Sequence, residues 1–162
     1  MNNEHLAAYL NDHLAGSVAA VELLEHLENA HAGTEMARLF AAVLADIEAD
    51  RQELKGLMDR LHISESRPRK ATAWLAGKMT ELKLRLEDRA GGPLRLLEGV
   101  EAVALGIEGK LALWQALNAA AEVAPALRGV DYERLAQRAR DQRERLEGVR
   151  LQAAEAALRT VP

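Results

Sequence analysis

Four glutamates, Glu22, Glu48, Glu101 and Glu108, have the residue type and spacing that could do chemistry. The last two are the most telling. They lie in residues 94–117, LRLLEGVEAVALGIEGKLALWQAL, which read as a helix with two adjacent apolar stripes. One stripe is Leu96, Val100, Val103, Ile107, Trp114 and Leu117. The other is Leu94, Leu97, Glu101, Ala104, Glu108 and Leu111, apolar except for two carboxylates about two turns apart on one face. A carboxylate on a face that should be buried needs a metal ion, an arginine or a shared proton.

The elements that must position these residues follow from apolar periodicity and breakers. A first helix is expected over about 3–31, with Leu6, Leu10, His13, Ser17, Ala20, Leu24 and Leu27 on one stripe and Leu14, Val18, Val21 and Glu25 beside it. Ala32-Gly33 ends it, and Thr34 caps a second helix over about 35–61. That helix buries Phe40, Val43, Ile47, Leu54, Met58 and Leu61, with Asp50 and Arg51 filling the step between Ile47 and Leu54. After Pro68 a third, shorter helix is expected over about 67–88, with Trp74 on its apolar stripe, until Gly91-Gly92-Pro93. The 94–117 stretch belongs to a helix over about 93–121. Asp131 then caps a last helix, about 131–159, whose stripe is Leu135, Ala139, Gln142/Arg143, Leu146, Val149, Ala153 and Ala157. Four helices of about 27–29 residues, each roughly 40 Å long, with a tight turn, a long middle connection and a short loop, describe one all-α domain: an up-down four-helix bundle with a helical crossover.

Composition agrees. Aromatic residues are 3% of the 162 and prolines number 4, as in an alanine- and leucine-rich helical protein. No apolar run approaches the roughly 20 residues of a membrane span, and no basic-then-apolar leader opens the chain, so no membrane partner is expected. Cysteine is absent, which excludes disulfide and thiolate chemistry and fits a cytoplasmic location. The net charge of −4 is uneven: −8 over residues 1–66, +5 over 67–95 and −1 over 96–162. The simplest reading lays a basic crossover across acidic helices; the alternative is a nucleic-acid patch, for which Trp74 is the segment's one aromatic residue.

With these helix lengths, this crossover position and inward carboxylates, the chain resembles the ferritin-like superfamily over nearly its whole length. Active members hold two metal ions with a Glu from the first helix, a Glu-x-x-His from the second, a Glu from the third and a Glu-x-x-His from the fourth. The resemblance places Glu22 or Glu25 in the first role and Glu101, or Glu108, in the third. On the second helix the match is Glu48-x-x-Arg51, with arginine where histidine would stand. On the fourth, Asp141-x-x-Glu144 or Gln142-x-x-Arg145 sits at the corresponding level, and no histidine follows His62.

Three readings of the glutamates follow. They could hold Fe, Mn or a harder cation with carboxylates alone, as a metal-binding protein or oxidase would. They could be paired with Arg51 and Arg143, or with Arg140 or Arg145, so that a carboxylate–arginine network replaces the metal in a non-catalytic structural or binding module without a cofactor. Or they could edge the apolar stripe and reach solvent. The second is the expectation, together with a homodimer, because bundles with an exposed apolar flank often pair. Glu28-x-x-His31 reads as a histidine favoured by a helix C-terminus. Glu22 with His26 reads as a surface pair, and His13 with Ser17 lacks the surroundings of a nucleophile. Gly106 and Gly109 inside a helix suggest a close neighbour there.

Overall fold

The turns form where local chemistry directs them. Gly33 takes φ +84°, the left-handed conformation that ends a helix. Thr34 Oγ1 then accepts from the Ala37 backbone N–H at 3.2 Å, capping the next helix. Asp131 Oδ1 does the same for Arg134 N–H at 3.0 Å. The structure, a computed structural model, describes residues 4–66, Gly77 and 92–159. Among these residues four long helices form: α1 Glu4–Ala30, α2 Glu35–Arg60, α3 Gly92–Ala121 and α4 Tyr132–Ala157, with a 3-10 turn at Pro125–Leu127 before α4. Of the expected helix at 67–88 only Gly77 is described, and it is helical; the rest, including Trp74, lies outside the described residues.

The end of α2 is closed without glycine. His62 stands in the left-handed region at φ 55°. Its N–H donates to Asp59 O at 3.0 Å and Ile63 N–H to Met58 O at 2.9 Å, the two bonds of a Schellman motif. Asn11 then ties the departing chain to α1: its Oδ1 accepts from Ser66 N–H at 2.7 Å and its Nδ2 donates to Ser64 O at 3.2 Å.

Side-chain pairs give the topology. Glu53 meets Arg134, Asp50 meets Arg138 and Asp46 meets Arg145, so α2 and α4 are antiparallel. Glu101 meets Arg150 and Glu108 meets Arg143, so α3 and α4 are antiparallel too. The chain therefore leaves α2 at one end of the bundle and enters α3 at the other. The core between the hairpins holds Leu24, Phe40, Val43, Val100, Val103 and Leu135, all fully buried. Trp114, at 1% exposure, lies 6.4 Å from the Tyr132 ring, whose hydroxyl donates to Leu127 O at 2.7 Å. No helix among the described residues is long and apolar enough to cross a membrane.

Candidate functional site

Each of three helices carries one polar side chain on its buried stripe, and the three meet. On α2, Ile47, Asp50 and Leu54 follow three- and four-residue steps, so Asp50 points inward with its apolar neighbours and is 1% exposed. On α4, Ala139, Gln142 and Leu146 do the same, and Gln142 is fully buried. On α3, Lys110 occupies the gap in the stripe between Ile107 and Trp114; its side chain is largely buried.

Asp50 is the hub. Its Oδ2 accepts from the Lys110 ammonium and from Gln142 Nε2 at 3.0 Å. Its Oδ1 accepts from Arg138 Nε at 2.6 Å, and Arg138 Nη2 lies against the same oxygen without completing a hydrogen bond. Lys110 donates a second time, to Gln142 Oε1. The carboxylate is thus satisfied at both oxygens by protein donors, as a buried charge must be. Burial is the largest influence on Lys110 and pushes its pKa below the ordinary lysine value. Asp50 pulls the other way through its charge and hydrogen bond, Arg138 adds repulsion, and Asp46 partly offsets it.

The hub is the middle of a ladder. Residues 46, 50 and 53 share one face of α2, and Arg134, Arg138, Gln142 and Arg145 share one face of α4. The outer rungs, Glu53 with Arg134 at 2.8 Å and Asp46 with Arg145, are partly open to solvent. Such an arrangement fixes the register of α2 on α4. Among the described residues its buried donors and acceptors bind one another, with Arg138 Nη2 the exception.

The four glutamates singled out from sequence are not brought together. Glu22, Glu48, Glu101 and Glu108 are all exposed. Among the described residues, no group of three or more His, Asp or Glu side chains is placed to hold a metal ion. The expected interior position of Glu101 and Glu108 is corrected: α3 buries the arc holding Val100, Val103, Ile107 and Trp114 and, of the second stripe, Leu97 and Leu111, while Glu101 and Glu108 lie exposed at the edge beside α4. The arginine pairing is found there, but at the surface. Arg143 meets Glu108 at 2.5 Å with both side chains about half exposed, and Arg150 meets Glu101 at 3.3 Å and Glu147 at 2.7 Å. Arg51 is half-buried, its Nε makes no hydrogen bond, and among the described residues it forms no ion pair with any of the four.

His31 and His13 take structural roles. His31 Nδ1 lies 2.8 Å from Leu27 O and its ring stands edge-on to Phe40 at 5.9 Å. His13 packs edge-on against Tyr9 at 4.7 Å, and burial lowers its pKa against the opposing charge of Asp12. Ser17 Oγ donates to Leu14 O at 2.6 Å, so the hydroxyl serves its own helix. The buried polar atom His26 Nε2 has no hydrogen-bond partner among the described residues. Gly106 has Ala20 Cβ at 3.9 Å from where its own Cβ would stand, and Gly109 has nothing within 4 Å. Neither glycine is required by a close neighbour among the described residues.

The signal for Asp50, Lys110 and Gln142 was present in the sequence as interruptions of otherwise apolar stripes. Each alone reads as a gap filler. Only their common level in the bundle turns three interruptions into one cluster.

The crystal structure of the E. coli stress protein YciF superposes with a TM-score of 0.58, covering 98% of this chain and 96% of that chain at 15% sequence identity. That likeness supports a ferritin-like helical fold. No protein-family model matches the chain. No curated protein matches it.

Proposed function

We propose that this chain is a non-catalytic structural or binding module of ferritin-like architecture, in which protein cations hold the interior carboxylate. The carrying observation is Asp50: 1% exposed, with both oxygens bonded to Lys110, Arg138 and Gln142. A metal ion at Asp50 would have to displace two cations that repel it and leave Gln142 and Lys110 without partners. The network differs from the one expected in its members. Asp50 stands at its centre, and the Glu108–Arg143 pair is a surface satellite.

Elemental analysis tests this reading. Untagged protein purified after Fe or Mn supplementation is expected to carry metal well below one ion per chain. Stoichiometric Fe or Mn that disappears in Glu101→Ala or Asp50→Asn overturns the reading and supports a carboxylate-rich metal protein instead.

A further inference from the structure

The outer face of the α3–α4 hairpin carries a groove of about 700 Å³ that none of the four buried polar residues lines. Its floor includes Val100, Ala104 and Leu146. Leu105 stands at its edge, 74% exposed, flanked by Glu101 and Glu108 one turn away on either side. Across the groove α4 presents Arg140, Arg143 and Arg150 together with Glu144 and Glu147, the last bonded to Arg150 through both of its oxygens.

We propose that this face seats a second copy of the same chain about a two-fold axis that runs along the groove. The charges fit that operation. Glu101 and Arg150 mark one end of the groove, and Glu108 and Arg143 mark the other. A two-fold axis along the groove lays α3 of one copy over α4 of the other at the same level. Glu101 of each copy then faces Arg150 of the other, and Glu108 faces Arg143. Each of these acids meets a base across the contact as well as within its own chain. Leu105 of each copy falls between the two arginines of the other, at the level of the buried Leu146. An isologous contact requires this kind of self-complementarity. Two helices roughly 40 Å long and about 10 Å wide each offer on the order of 800 Å² per partner, the area of a standard stable interface. Leu105 and the four charged residues that make the contact lie on the outer face, away from Asp50 and its partners, so it is independent of whether the interior binds metal.

Sedimentation velocity on the full chain over a concentration series tests it. The wild type is expected at twice the monomer mass of 17.7 kDa. Leu105→Asp is expected to weaken association by on the order of tenfold or more with helical circular dichroism unchanged. Val123→Asp, at another exposed apolar residue off this face, is expected to leave it intact. A charge arm is independent of the leucine. One variant carries Glu101→Arg with Glu108→Arg and presents a basic face; a second carries Arg143→Glu with Arg150→Glu and presents an acidic one. Each alone is expected to stay monomeric, and an equimolar mixture of the two is expected to sediment as a dimer. Pairing within one chain cannot produce that rescue, because each variant keeps only like charges at these four positions. A wild type that stays monomeric throughout, with the groove bare or reserved for a different partner, overturns the proposal. So does a dimer indifferent to Leu105→Asp, or a mixture of the two charge variants that stays monomeric.

Discussion

Where α1 meets α3, the two hairpins touch through small and apolar side chains, with Gly106 opposite Ala20. Where α2 meets α4, they touch through carboxylates and arginines at three successive levels, the middle one buried. Both seams hold the same two hairpins together, yet they contribute differently. Apolar contact is non-directional and tolerates sliding. A ladder of charge pairs has one register, and a slip of a residue would strand Asp50 against an apolar neighbour. The α1–α3 seam supplies adhesion, and the α2–α4 seam supplies alignment. Buried ionic groups often add little net stability, and their role in fixing register is the better attested one.

Changes in the charged seam are expected to be the most damaging. Asp50→Ala leaves Lys110 and Arg138 as uncompensated buried cations and should cost about 3–5 kcal/mol in urea unfolding. A loss under about 1 kcal/mol would show that the centre admits water and is not the buried hub described. In the apolar seam, Gly106→Ala adds a methyl that meets Ala20 Cβ at an ordinary 3.9 Å and raises helix propensity. It should stabilise by about 1 kcal/mol in the same assay, and a destabilised variant would show the seam to be tighter than its geometry implies. The outermost rung is the mildest site. Glu53→Gln removes a pair whose side chains are 39% and 49% exposed, so the cost should stay at or below about 1 kcal/mol and shrink in high salt.

Lys110 gives the comparison a pH dependence. Its proton is held less tightly in the fold than in the unfolded chain, where lysine titrates near 10.4. Below the folded value both states are charged, and the whole cost of burying that charge weighs on the fold. As pH rises toward about 10.4 the fold sheds the proton first and the cost is lifted. Wild-type stability relative to Lys110→Met should therefore rise as the pH approaches about 10.4 from below. The raised pKa values of Tyr9 and Tyr132 act in both proteins and cancel in the difference. A relative fall with pH would mean that Asp50 outweighs burial at Lys110.

Local chemistry made much of the fold legible before the structure. Thr34 and Asp131 announced helix starts, Gly33 an end, and the Val100–Val103–Ile107–Trp114 stripe an inward face. The site was harder to read, for two reasons. Apolar spacing puts Glu101 and Glu108 on a stripe whose Leu97 and Leu111 are buried, yet the two carboxylates stand at its rim, and period alone does not separate the two cases. The partners of a buried charge are also set by which levels of different helices face one another, and periodicity within one helix does not encode that. Asp50 and Gln142 each sat on a correctly identified stripe, but nothing local pointed from one to the other across 92 residues, or from either to Lys110.

The central claim is that the buried charges serve one another and nothing else. Replacing all four at once, Asp50→Leu, Lys110→Met, Arg138→Met and Gln142→Leu, gives the α2–α4 seam the chemistry of the α1–α3 seam. Urea unfolding of that variant beside Asp50→Ala tests the claim directly. The expected result is recovery of the roughly 3–5 kcal/mol lost in the single change, to within about 1 kcal/mol of wild type or above it. A quadruple variant as unstable as Asp50→Ala would contradict the claim, because it would mean that the cluster satisfies something beyond its own members.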